Sequence, residues 1–295
     1  LITEATLRTL PTPKHRGLAL LFFDRLDAAA RGALEIAGMD VATCDLMDRR
    51  LLTIAREVDV RYELLIPPEA EAMLLVEQPG DDAHEVGEKL REIVVQLVRR
   101  QRLAFDARVT IDRDERDFYW RLSRRVVTTL YRLKGNSRAI PCIEDIAVPP
   151  EAVPDFLVRM QNVLKAHEVT ASLFGHAGQG QLHLRPFLDL GDPEHMRRMQ
   201  AVAAALYEEV LKVGGFVGRE HAAGLSRTWF AQRQCGPLYD VFREVKRIFD
   251  PENILNPGKV VADVPQPLTQ NVRPVIAPER TAADAPAEAH APLVD

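Results

Sequence analysis

Cysteine is scarce in this chain. Cys44, Cys142 and Cys235 are far apart in 295 residues and odd in number. They form no CxxC pair, so the spacing indicates neither a disulfide framework nor a zinc or iron–sulfur cluster. A reducing, cytoplasmic compartment is the expectation. Long apolar runs are also missing. The longest, Leu18-Ala19-Leu20-Leu21-Phe22-Phe23, is strand-sized, far short of the ~20 residues a spanning helix needs. Any membrane association is therefore expected to be peripheral. The net charge is −5 with both signs mixed along the chain, and no basic stripe points to nucleic acid. There is no secretory pattern, and the first residue is Leu1, which reads as a start inside a longer polypeptide.

A rhythm of strands and helices is what the sequence does contain. At 46% hydrophobic it can bury one large core or two smaller ones. Residues 18–24 read as a buried strand, 28–37 as a helix, 41–46 as a strand, and 61–66 and 72–77 as two more. Asp81-Asp82 can cap a helix whose apolar positions Val86, Leu90, Ile93, Val94, Leu97 and Val98 are helically spaced. A strand over 105–111 and a helix carrying Phe118, Leu122, Val126 and Leu130 follow.

The second half repeats the pattern. Residues 141–148 read as a strand, Pro149-Pro150 ends it, and Val153, Phe156, Leu157, Met160 and Leu164 mark a helix. Strands over 170–175 and 181–187 flank Gly178-Gln179-Gly180. A long helix then presents Met196, Met199, Val202, Leu206, Val210 and Val213 and stops at Gly214-Gly215. Strand–helix–strand–strand–helix, twice, predicts an α+β fold. Two ferredoxin-like halves, 1–135 and 136–260, would form one antiparallel sheet with helices packed on it. Residues 261–295 read as a Pro/Ala-rich linker or docking tail, with six prolines and seven alanines from Val264 onward.

Three segments could carry chemistry. In Gly175-His176-Ala177-Gly178-Gln179-Gly180-Gln181-Leu182-His183, two strands joined by a glycine-containing turn would bring the two imidazoles together. Two imidazoles can supply two ligands of a divalent metal. As ordinary strand histidines they would do nothing. In Gly214-Gly215-Phe216-Val217-Gly218-Arg219-Glu220-His221-Ala222-Ala223-Gly224, Glu220 could be a third, anionic ligand. His221 could be an acid/base group, since an imidazole changes charge near neutrality. Taken alone, a Glu-His pair in a loop is more often inert surface. Phe249-Asp250-Pro251-Glu252-Asn253-Ile254-Leu255-Asn256-Pro257-Gly258-Lys259 reads as turn after turn, and composition favours a plain wrap around the core.

The order GHxGxGxLH, GGxxxxEHxxG, FDPxxILNPGK resembles the C-terminal domain of FAD-linked oxidases. That family includes D-lactate dehydrogenase, the glycolate oxidase flavoprotein subunit and D-2-hydroxyglutarate dehydrogenase. The likeness covers roughly residues 18–260 and is strongest to the large fused enzymes in which an iron–sulfur domain follows. It implies oxidation of a D-2-hydroxy acid to a 2-oxo acid, hydride passing to FAD and the proton to His221. His176, His183 and Glu220 become ligands of zinc or another divalent metal, and Asn256 lies near the flavin. The flavin would be held mainly by an N-terminal FAD-binding domain. This chain has no glycine-rich pyrophosphate loop and is expected to be inactive alone. An iron–sulfur cluster is expected only downstream, as part of the route to the electron acceptor.

The sequence also departs from the family. The 2-hydroxyglutarate enzymes have an arginine three residues after the tryptophan that matches Trp120, and a lysine two before the aspartate that matches Asp145. Ser123 and Ile143 stand there. Arg185 takes the place of an asparagine and should share a strand face with His183. It could grip a substrate carboxylate bidentately or form a salt bridge to Glu144 or Asp145. Gln179 and Ala222 replace the family's usual aspartate and glycine. Two other readings compete, a metal-dependent hydrolase using His176, His183 and Glu220, and a non-catalytic ferredoxin-like binding domain. A hydrolase has no use for the Leu-Asn-Pro-Gly flavin contact, and a metal-free domain would bind no zinc.

Overall fold

A computed structural model of the chain describes residues 2–131, 133 and 135–272. The first strand, β1 (His15–Phe23), is buried from Gly17 onward because its apolar run is covered on both faces. It is followed by α1 (Leu26–Ala37), β2 (Thr43–Asp48), α2 (Arg49–Val58), α3 (Val60–Leu65), β3 (Ala72–Gly80), α4 (Ala83–Val94), β4 (Asp106–Thr110) and α5 (Arg113–Leu130). Asp48, Asp82 and Asp112 cap α2, α4 and α5 by accepting backbone N–H groups three residues on. The second half runs β5 (Arg138–Ala139), β6 (Ile143–Ala147), α6 (Val153–Ala166), β7 (Ala171–His176), β8 (Gln181–Leu188), α7 (Pro193–Lys212) and β9 (Phe216–Val217). Two helices close it, α8 (Gly224–Cys235) and α9 (Leu238–Phe249).

The strands form one sheet in the order β4-β1-β3-β2-β7-β8-β6-β9, with β5 paired to β8 at the side. Every pairing is antiparallel. Each half has its fourth strand beside its first, then its third, then its second, which is the ferredoxin-like order expected from the sequence. The halves meet where β2 pairs with β7, placing Asp45 opposite His176.

Alternation along the strands separates two cores. One face, with Ala19, Leu21, Leu46 and Leu74, packs against α1, α4, α6 and α7 through Ile36, Leu90, Phe156 and Leu206. The opposite face, with Leu20, Phe22, Met47 and Leu75, packs against α2 and α5 through Leu51, Ile54, Tyr119 and Leu122. Each of the buried Leu, Ile, Met and Phe side chains contributes roughly 1.5–3 kcal/mol. On that second face the cover of α2 and α5 lies over the first half. Beyond it, β7 and β8 present their polar side chains.

One element departs from expectation. Residues 61–66 read as a strand, but α3 is a helix there. Asp59 caps it by accepting the Arg61 N–H, and buried Tyr62 stacks on Phe118 of α5 at 4.6 Å between ring centroids. A short apolar run does not tell helix from strand, and β3 already has β1 and β2 on its two edges. The start of the 261–295 segment lies against the body. Leu268 is buried and its N–H donates to Gln200 Oε1 at 2.9 Å. Residues 273–295 fall outside the described residues.

Candidate active site

The β7–β8 hairpin builds the first part of the site. Its turn depends on glycine at Gly180, where φ is +71° and a Cβ would stand 1.9 Å from the Val148 carbonyl oxygen. The register sets Phe174 opposite His183 and Ser172 opposite Arg185. His176, Phe174, Ser172, His183 and Arg185 therefore share one face. The His176 and His183 rings lie 5.8 Å apart by their centroids, as the two-strand reading of this motif expects.

Asp45 of β2, buried at the junction of the halves, accepts from His176 Nδ1 at 2.7 Å. That hydrogen bond raises the His176 pKa above the usual imidazole value, and partial burial opposes it. His183 goes the other way, since burial disfavours its charged form. With Nδ1 engaged, His176 has Nε2 free. Donor atoms of His176, His183 and Glu220 all lie within 4.8 Å of one another.

Glu220 and His221 are exposed and come from the loop after β9. Their position is fixed by Asp145, which is fully buried at a register shift between β6 and β8. Its carboxylate accepts the Glu220 N–H at 2.9 Å, the His221 N–H at 2.7 Å and the Gln181 side-chain amide at 3.0 Å. From behind, buried Arg227 donates to the Ala222 carbonyl at 3.0 Å. Asp145 itself has φ +64° and Ala222 φ +56°. Left-handed backbone disfavours side chains, so the loop carries local strain at the position where the sequence has alanine in place of glycine. The His221 ring is 5.7 Å from that of His183.

Beside His183 and His221 lies a cavity of about 180 Å³. Leu51 of α2, Leu130 of α5 and Phe174 give it apolar walls, with Ser172, Glu144 and Arg185 as the other polar lining. Arg185 donates from Nε to Glu144 and stacks over the Tyr131 ring at 5.4 Å. Of the two roles open to Arg185, the salt bridge to Glu144 is formed, yet its buried Nη1 has no partner among the described residues. A second cavity, about 420 Å³, opens on the other side of the histidines, where Asp45, His176, Gln179 and Glu220 meet Met39 and Val41.

Asn256 stands apart from this cluster. It is exposed, with φ +53°, on the loop after α9, and lines neither cavity. The loop is held by Asp250, which accepts the N–H groups of Ile254 and Leu255, each at 2.9 Å, and pairs with Lys246. The sequence reading missed Asp45 as a partner of His176, Asp145 as the holder of the Glu220-His221 loop, and the apolar walls. Asp45 does leave a signal, a lone charge inside the buried run Cys44-Asp45-Leu46-Met47. The buried thiols play no part. Burial pushes Cys44 and Cys142 up to about 12, which keeps them protonated and poorly nucleophilic.

The doubled ferredoxin-like sheet has known counterparts. Residues 12–260 match the model for FAD linked oxidases, C-terminal domain. The chain belongs to that family, the one its three motifs resemble. It is 30% identical to D-2-hydroxyglutarate dehydrogenase from Pantoea ananatis over 269 residues, covering 88% of this chain and 26% of that protein. To the glycolate oxidase subunit GlcD of Bacillus subtilis it is 26% identical over 265 residues, covering 89% and 54%. The chain thus spans about a quarter to a half of the length of these relatives. A solved 4-ethylphenol oxidase from Gulosibacter chungangensis shares the fold with a TM-score of 0.59 at 15% identity, over 85% of this chain and 54% of that one. Among the described residues no helix is long and apolar enough to cross a membrane.

Proposed function

We propose that this chain is the substrate-side domain of a flavin-dependent dehydrogenase that oxidises a D-2-hydroxy acid to the 2-oxo acid. The observation that carries this is the convergence of His176, His183 and Glu220 beside His221 on an open sheet face. Two imidazoles and a carboxylate are a donor set that suits zinc or a similar divalent ion. Bound there, such a cation would supply the positive charge that orients the substrate's carboxylate and hydroxyl and lowers the hydroxyl pKa. Asp45 holds His176 with Nε2 available to the site. His221 accepts the hydroxyl proton as the hydrogen on the same carbon leaves as hydride. Arg185 offers its Nη1, which has no partner among the described residues, to a substrate carboxylate oxygen.

FAD is the hydride acceptor, held mainly by an N-terminal domain of the same polypeptide. Asn256, on its braced loop, contributes at the flavin's edge. The face of α9 fits the same scheme, because its apolar side chains are exposed while Tyr239 alone of that helix is buried. The flavin-binding domain is the partner assigned to it. A downstream iron–sulfur domain or another acceptor then takes the electrons.

The test is turnover by the full-length polypeptide with an artificial acceptor and D-lactate, glycolate and D-2-hydroxyglutarate as initial substrates. A chelator should abolish the rate, and His221→Ala should lower kcat by about 10²–10⁴-fold with the metal content unchanged. This chain alone should be inactive even with added FAD. Full activity in His221→Ala, or dehydrogenase activity of the isolated chain, would contradict the assignment.

A further inference from the structure

The cavity beside His183 and His221 is where a substrate bound at the His176–His183–Glu220 cluster would extend its side chain. Its three walls come from separate elements, Leu51 from α2, Leu130 from the end of α5 and Phe174 from β7, and all are apolar. Its charged lining is one anion, Glu144, and one permanent cation among the described residues, Arg185. Those two are paired, both are mostly buried, and Tyr131 stacks on the guanidinium. Ser123 and Ile143 are buried and uncharged, and neither lines the cavity.

We propose that this cavity selects 2-hydroxy acids with an uncharged, apolar side chain of several carbons and discriminates against dicarboxylic 2-hydroxy acids. The proposal rests on the function proposed above. The electrostatic reason is a count of charges. Glu144 already neutralises Arg185, and the free Nη1 can serve the carboxylate next to the reacting carbon. A second substrate carboxylate would be a further anion at a single guanidinium, in a cavity where water and salt screen poorly. An apolar side chain meets no such penalty and removes its own surface and that of three apolar walls from water. A volume of about 180 Å³ also exceeds what a lone methyl group fills, so the smallest 2-hydroxy acids leave the walls uncovered.

This departs from the activity in the name of D-2-hydroxyglutarate dehydrogenase from Pantoea ananatis, at 30% identity. Glu144, paired with Arg185 in the cavity lining, is the residue to which this selectivity is assigned. Glu144→Gln keeps a hydrogen-bond acceptor for Arg185 and removes the neutralising charge, leaving one cation free for a distal carboxylate.

The experiment measures kcat/KM of the full-length flavoenzyme for D-lactate, D-2-hydroxy-4-methylvalerate, D-3-phenyllactate and D-2-hydroxyglutarate, with Glu144→Gln in parallel. The expected result is a preference of roughly ten-fold or more for the methylvalerate or phenyllactate over D-2-hydroxyglutarate. Glu144→Gln should narrow that ratio by a similar factor. Inhibition of the unaltered enzyme by the two products gives a check that needs no variant. There 4-methyl-2-oxovalerate should bind roughly ten-fold or more tightly than 2-oxoglutarate. An enzyme that prefers D-2-hydroxyglutarate overturns the proposal and leaves the 2-hydroxy-acid reading intact. An apolar preference that a folded Glu144→Gln variant leaves unchanged overturns the role given to the Glu144–Arg185 pair. Failure to oxidise any 2-hydroxy acid overturns both the selectivity and the function beneath it.

Discussion

Asp45 holds an imidazole it cannot touch at its working end. Its carboxylate lies 2.7 Å from His176 Nδ1, so the ring donates there and leaves Nε2 with its lone pair toward His183 and Glu220. Partners of this kind fix both ring orientation and tautomer, and losing one typically lowers metal affinity about 10–100-fold. Asp45→Asn should do the same here. It keeps the size of the side chain in a fully packed strand, so the fold should persist. A zinc titration of the purified protein, monitored alongside its circular dichroism, separates the two effects. Unchanged zinc affinity would remove Asp45 from the site. Asp145 has the matching task for the other half of the cluster, holding Glu220 and His221 through their backbone rather than their side chains. This is why sequence motifs reveal the ligands and conceal what aims them. The ligand types are named by their chemistry, whereas Asp45 and Asp145 look like any acidic residue until β2, β6 and β7 are placed in one sheet.

Elements whose periodicity is unbroken are legible from the sequence, and those that depend on distant partners are not. The βαββαβ order could be read because strand and helix periods alternate cleanly over 72–111 and 141–213. By contrast the sequence of α3 looks like a strand, since its helical state rests on Asp59 capping and on Tyr62 stacking against Phe118, 56 residues away. In the hairpin the glycines predicted the close approach of His176 and His183, and Gly180 is where that prediction is most exposed to test. Alanine there would adopt φ +71° and drive Cβ into the Val148 carbonyl. The backbone strain alone is on the order of 1–3 kcal/mol, and the clash adds to it. Gly180→Ala should lower the unfolding midpoint by several degrees and weaken metal binding, because β7 and β8 cannot both keep register around a displaced turn. Thermal melts with and without zinc measure both. A variant that melts and binds zinc like the parent would mean that the hairpin does not set the ligand spacing.

At the scale of the whole molecule, the proposed function brings a flavin to the exposed side of the site, where Glu220 and His221 lie, and α9 is under-packed in the same unit. Leu238, Val241, Phe242, Val245, Ile248 and Phe249 recur at helical spacing and are all exposed, and Ile254 and Leu255 extend the patch onto the Asn256 loop. An apolar stripe of this length is what a helix buries against something, and within this unit α9 is tied down through α8 and through buried Tyr239, whose hydroxyl accepts the Ala262 N–H at 3.1 Å. Under the proposed function the docking that buries α9 would also bring Asn256 to the flavin, so one partner domain would account for both the stripe and the distant loop. Val245→Asp together with Ile248→Asp tests this. Both positions are exposed in this unit, so its own stability should change by no more than about 0.5 kcal/mol per site. In the full-length enzyme the two charges would have to be desolvated against the flavin-binding domain, and flavin retention on gel filtration and turnover should fall by ten-fold or more, roughly. A double variant that keeps its flavin but melts early would instead assign the stripe to the stability of this unit, and the open face over His176, His183 and His221 would need a different cover.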